Sequence, residues 1–172
     1  MLFPSFALAT ALSSLFFPTV HAVGRAIVSN QCPEPIYLWS VGGSISPQYT
    51  VAPSTSYSET FRRDPASGGI AIKISPVANG IFQPNVSQTI FAYNLDGNKV
   101  WYDMSDIFGD GFAGRTMSLK PSDKTCQEIV WAYGKQPAGS SILAGTTRLV
   151  IIGFAARTVL EVTTVLQRLD RS

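Results

Sequence analysis

The chain is poor in the side chains on which most active sites depend. It holds one histidine in 172 residues, His21, and two cysteines, Cys32 and Cys126. His21 falls at the end of an N-terminal apolar run, so the segment beyond it has no histidine at all. That absence removes the Ser-His-Asp triad, the Cys-His pair and histidine-ligated zinc together, and no metal or cofactor is expected. Charge is also scarce, at 14% of residues, and no basic cluster exceeds Arg62-Arg63. A nucleic-acid partner is therefore not expected. Between Arg25 and Ala132 no apolar pattern of period 3.6 is sustained, which argues against helices there.

What the N-terminus does have is a stretch free of charge from Met1 to Phe17, containing the run FALATALSSLFF. Pro18 breaks the run, and Val20-His21-Ala22 supplies the small-x-small spacing that a signal peptidase reads. Residues 1–22 are expected to be a secretory signal, although no basic residue precedes the run. About 150 residues follow it, enough for one domain with a sizeable core. Two cysteines in an exported chain point to a Cys32–Cys126 disulfide, worth roughly 4–5 kcal/mol in the chain-entropy account. Asn85-Val86-Ser87 is a glycosylation sequon in a loop marked by Pro84, which makes Asn85 a candidate modification site.

Short β-rich runs follow one another from Arg25: RAIVSN, PIYLWSV, SYSETFR, GIAIKIS, QTIFAYNL, KVWYDMS, RTMSLKP and QEIVWAY. Gly-Gly, Ser-Pro, Asp-Pro and Asn-Gly separate them, and Asp96-Gly97 between two of them signals a hairpin. Eight strands at roughly ten-residue spacing predict an all-β sandwich or barrel. In PIYLWSV both faces are apolar, so that strand is expected to be central, with Tyr37 and Trp39 packed rather than offered as a platform for sugars. The tail from Ser140 changes character. Val159, Val162, Leu166 and Leu169 fall at helical spacing, but β-branched residues weaken a helix there. Arg148 and Arg157 interrupt the apolar stretch, so no membrane span is expected in the mature chain. The domain is therefore placed at 23–139 and the tail at 140–172, with the tail expected to be poorly ordered.

Four segments taken together resemble the Blastomyces yeast-phase-specific protein family of secreted fungal proteins. They are SNQCPEPIYLWSVG (29–42), SYSETFRRDPASGGIAIKIS (56–75), IFAYNLDGNKVWYDMSDIFGDGFAG (90–114) and LKPSDKTCQEIVWAYG (119–134). That family is in turn similar to the thaumatin-like proteins, so the resemblance implies a thaumatin-like β-sandwich with an acidic cleft. It also implies a small secreted or wall-associated protein, related to candidate effectors, with no established biochemical activity. The targets it implies are cell-wall polysaccharide or a host protein. Family members usually end in a further strand pair with two more cysteines, which this chain lacks; its tail from about Ser140 reads like an altered reading frame or a retained intron.

Three aspartates, Asp103, Asp106 and Asp110, crowd into VWYDMSDIFGDGFAG. Their spacing does not match an EF-hand loop, which needs oxygens at positions 1, 3 and 5. In the thaumatin-like cleft an Asp-Gly-Phe follows the Tyr-Asp sooner than Asp110-Gly111-Phe112 follows Tyr102-Asp103. Only Asp103 keeps the family position. The favoured reading is structural: Asp103 at a strand end, Asp106 capping a loop, and glycines supplying unusual dihedrals. The alternative is a carbohydrate-binding cleft built from Asp103, Asp106, Asp110, Tyr37, Trp39 and Trp101, with weak β-1,3-glucanase activity a third reading.

Overall fold

Alternation of apolar and polar side chains along each strand decides which face is buried. In β1 (Arg25–Gln31) Ala26, Val28 and Asn30 are buried while their neighbours are not. The same alternation holds in β5 (Ile70–Ser75), through Ile70, Ile72 and Ile74, and in β7 (Lys99–Ile107), through Val100, Tyr102 and Met104. The remaining strands are β2 (Ile36–Val41), β3 (Tyr49–Val51), β4 (Thr55–Thr60), β6 (Gln88–Asp96), β8 (Thr116–Pro121), β9 (Ile129–Trp131), β10 (Leu143–Gly145) and β11 (Leu149–Ala155). One 3-10 turn, Gly80–Phe82, lies between β5 and β6. The structure is a computed structural model that describes residues 24–137, 143–145 and 149–155.

The strands form two sheets, ordered β4-β1-β11-β8-β9 and β10-β7-β6-β5-β2-β3. Among the described strands all pairings are antiparallel except β1 with β11, which runs parallel from Arg25↔Leu149 to Gln31↔Ala155. One continuous core joins the facing surfaces, with Val28, Met117, Leu119 and Phe154 from the first sheet and Leu38, Ile72, Phe91 and Tyr102 from the second. Each fully buried large side chain contributes about 1.5–3 kcal/mol of burial free energy. Asn30 is one of the buried polar residues, and its side chain is fully satisfied. Its amide nitrogen donates to the carbonyls of Glu34 (2.8 Å) and Val51 (2.9 Å), and its oxygen accepts the Cys32 N–H at 2.9 Å.

A second polar element ties the sheets together near the end of β4. Glu59 on β4 accepts the hydroxyls of Tyr93 (2.7 Å) and Tyr57 (2.9 Å) and the Arg62 guanidinium at 3.1 Å. Arg62 then reaches Ser40 on β2 at 3.0 Å. The Glu59 side chain is only 10% exposed, and burial together with its carboxylate raises both tyrosine pKa values.

Two expectations are corrected here. The cysteines are free rather than bridged. Cys32 follows β1, with its thiol directed at the Phe154 carbonyl near the Thr116↔Ala155 end of the β8–β11 pair. Cys126 sits in the β8–β9 turn beyond Pro121, which pairs with Val150 at the opposite end. Five residues of extended chain span about 16 Å, whereas a disulfide joins Cα atoms about 4.4–6.8 Å apart. Nor does the sandwich stop at 139, because β10 and β11 enter the two sheets and β11 lies between β1 and β8. The unbroken apolar, β-branched run LVIIGFA suits a strand set between two others in a sheet. The expected signal segment 1–22 and residues 156–172 of the tail lie outside the described residues.

Candidate functional site

The outer face of the six-stranded sheet carries a groove, and the register explains why it is there. Val41↔Ala71, Ala71↔Ala92 and Ala92↔Asp103 place four residues in one row across β2, β5, β6 and β7. The two alanines at the centre of that row leave a low floor where larger side chains would stand proud. Asn94↔Trp101 forms the adjacent pair at one end, with Trp101 43% exposed. The resulting cavity of about 520 Å³ is lined by Trp101, Asp103, Asn94, Gly42, Ser67 and Gly69 among others.

The wall opposite Trp101 comes from two loops locked to each other by Asp64. Its carboxylate accepts the N–H groups of Ser67 (2.8 Å) and Ala66 (3.0 Å). The backbone of Ser67 and then of Gly43 hold its pKa down to about 2. Glycine is needed at position 42, where a Cβ would stand 2.6 Å from the Asp64 carboxylate. The Ser67 hydroxyl lies 3.0 Å from Asp64 Oδ1 and 2.6 Å from the Gly69 carbonyl, which fixes the rim of the groove. Nothing in the sequence pattern pointed to Asn94, Ala71, Ala92 or this loop clasp. Their neighbourhood depends on pairing register, although small residues on the outward period of β5 and β6 are a readable trace.

The six predicted site residues do not form one site. Asp103 and Trp101 line the groove. Trp39 is fully buried, covered by Phe82 in a T-shaped contact with ring centroids 6.2 Å apart, so it offers no exposed platform. Tyr37 shares the outward face with Trp39 and pairs with Thr50 and Ser75, away from the groove lining.

The strand also runs further than expected. β7 extends to Ile107, so Asp103 and Asp106 are strand residues rather than a strand end and a loop cap. Three positions apart on a strand, they point to opposite faces. Asp106 accepts the hydroxyl of fully buried Thr89 at 2.5 Å, while its own N–H donates to Gln136 Oε1 at 2.8 Å. Burial pushes its pKa up to about 6, opposed by the Thr89 bond and reinforced by the neighbouring Asp110. Its second oxygen is buried without a partner among the described residues. Asp110 belongs to the following loop, where Gly109 takes φ +99° and Gly111 lies so close to Ser87 that a Cβ would meet its hydroxyl at 2.5 Å. The groove is therefore lined by one of the three carboxylates, Asp103.

Comparison with known proteins agrees with this architecture. The family described as Blastomyces yeast-phase-specific protein matches residues 13–148. An antigenic thaumatin-like protein of Arthroderma benhamiae is 35% identical over 113 residues, 65% of this chain and 55% of that protein. The secreted thaumatin-like protein calA of Emericella nidulans is 32% identical over 131 residues, 74% of each chain. The chain thus spans about half the length of the first relative and three quarters of the second. Among solved structures, the protein elicitor MoHrip2 from Magnaporthe oryzae superposes with a TM-score of 0.63. It is 22% identical, over 77% of this chain and 99% of its own, a likeness of fold. The all-β, thaumatin-like sandwich read from the sequence is the fold observed.

Proposed function

Because the chain belongs to the Blastomyces yeast-phase-specific family of secreted thaumatin-like fungal proteins, we propose that it is a non-catalytic protein working outside the cell. It acts at the cell surface, or on a host or competitor, by contacting carbohydrate through the groove beside Trp101. The supporting observation is one exposed indole standing at the rim of a shallow channel that also presents Asp103, Asn94 and Ser67. An indole stacks on the apolar face of a pyranose, and a carboxylate, an amide and a hydroxyl together accept and donate to sugar hydroxyls.

The non-catalytic reading rests on the carboxylates. Glycosidic cleavage needs two carboxyls about 5–10 Å apart on either side of the scissile bond. Here Asp103 lines the groove while Asp106 bonds to Thr89 on the other face of the sheet. Co-sedimentation with insoluble β-1,3-glucan and chitin tests the binding. Trp101→Ala should abolish retention while leaving the melting temperature within about 2 °C, since an exposed side chain contributes little to stability. Equal retention of wild type and variant, or none by either, would refute the groove assignment. Release of reducing sugar from soluble glucan would refute the non-catalytic one.

A further inference from the structure

The most exposed large apolar side chain in the described structure is Phe82, at 65%, and Val77 beside the same turn is 40% exposed. Phe82 is no stray surface residue, since its ring is the lid over fully buried Trp39. An uncovered aromatic lid leaves apolar surface in water, and a second apolar face laid on it would remove that surface. The sequence supplies an attachment point for one three residues later. Asn85 opens the sequon Asn85-Val86-Ser87, is exposed, and takes a left-handed conformation at φ +59° directly after Pro84.

Proline followed by a positive φ is the signature of a type II turn, in which the residues flanking the turn approach each other. The loop closes tightly in two further places. A Cβ on Gly80 would meet the Val86 side chain at 3.1 Å, and Ser75 Oγ donates to the Ser87 carbonyl at 3.2 Å. The chain from Gly80 to Ser87 is thus folded back on itself, with exposed Asn85 at the tip of the turn and exposed Phe82 only three residues before it.

We propose that Asn85 carries an N-linked glycan and that its first N-acetylglucosamine packs on the Phe82 ring, completing the lid over Trp39. The donor is a lipid-linked oligosaccharide diphosphate. The Asn85 amide nitrogen forms a bond to C1 of the first sugar, the C1–O bond to the diphosphate breaks, the lipid diphosphate leaves, and a transferase base takes the amide proton. In the folded chain Ser87 Oγ is packed against Gly111, so transfer precedes closure of this loop. The C–H bonds on one face of the sugar are weakly positive and meet the negative face of the aromatic ring. The inference rests on export of the chain and does not depend on what the groove binds.

The test is a cycle on full-length protein secreted from a glycosylating yeast, with the glycan trimmed enzymatically to one N-acetylglucosamine. Wild type, Asn85→Gln, Phe82→Ala and the double variant are compared by intact mass and thermal melting, with Phe82→Leu as a second probe should alanine fail to fold. Expected results are one N-acetylhexosamine on Asn85, a higher melting temperature than Asn85→Gln, and loss of that gain when Phe82 is replaced. Nuclear Overhauser contacts between the sugar and the Phe82 ring should accompany it. Secreted protein without sugar at Asn85 overturns the modification, and an equal thermal gain with and without the phenyl ring overturns the packing. A chain retained in the cell would instead refute the secreted reading on which both stand.

Discussion

Replacing Tyr93 by Phe removes one oxygen and nothing else, which makes it a clean probe of the bond between the sheets. The ring stays packed against Phe61 and Phe91, at centroid distances of 4.9 and 5.7 Å. What disappears is chiefly the 2.7 Å bond to Glu59 Oε1, with a weaker contact from the Arg62 backbone, in a place where Tyr93 is 3% exposed and the Glu59 side chain 10%. A hydrogen bond to a charged acceptor contributes about 1.5–3 kcal/mol, and the low exposure puts this one within that range. For a chain of this length each kcal/mol moves the midpoint by about 2–4 °C, so a loss of about 3–12 °C is expected. Differential scanning calorimetry at neutral pH gives the number, and repeating it in a Glu59→Gln background gives the coupling. In that background the cost of Tyr93→Phe should shrink markedly, because the carboxylate that made the bond strong is gone. A midpoint within 1 °C of wild type, or a cost unchanged by Glu59→Gln, would refute the clamp.

The Asp106 carboxyl, held up at about 6, binds its proton more tightly folded than unfolded. Its contribution is fully present below the unfolded pKa near 4 and is lost as pH rises to about 6. Asp106→Asn should therefore flatten the fall in stability between about pH 4 and 6, and an unchanged profile from denaturant titration would refute this. Thiol labelling of unreduced, unfolded protein should modify both cysteines, with Cys126 reacting in the native state and buried Cys32 reacting only after unfolding. Protection of both throughout would restore the bridge that the register denies. Phe154→Ala should cost about 3–5 kcal/mol, since its ring is fully buried and lies 4.5 Å from Phe112. A loss below 1 kcal/mol in urea would mean that β11 is not part of the core.

All eight β runs legible in the sequence are strands, because turn residues and period-two alternation are local signals. β3 escaped notice because Tyr49-Thr50-Val51 is too short to show a period. β11 escaped for a different reason: a continuous apolar run reads alike whether it becomes a covered strand or part of a helix, and only its partners decide. The Glu59 clamp had a partial trace, in that Tyr57 and Glu59 alternate onto one face of a strand. Tyr93, the third member, is 34 positions away, and nothing local connects them. The candidate site divides along the same line. Asp103 and Trp101 were readable as adjacent outward residues of one strand, whereas the alanine floor and the Asp64 clasp depend on which strands become neighbours. The aspartates were misplaced by one structural boundary, since the glycines that suggested a turn begin only after Ile107.

The parallel pairing of β1 with β11 also sets an order of events. Among the described strands β1 emerges first and β11 last, yet they share seven paired positions, with Arg25 opposite Leu149. Until β11 arrives, β1 and β8 each present an open edge to the slot it will fill, and the hairpins β6–β7 and β8–β9 can form without closing it. Closure of so long a loop is entropically costly, and contacts this distant in sequence slow folding. During that wait two unpaired strand edges stand side by side, ready to accept any extended segment, including β11 of another chain. A crowded secretory compartment is thus expected to produce strand-exchanged dimers in which each first strand is completed by its neighbour's last.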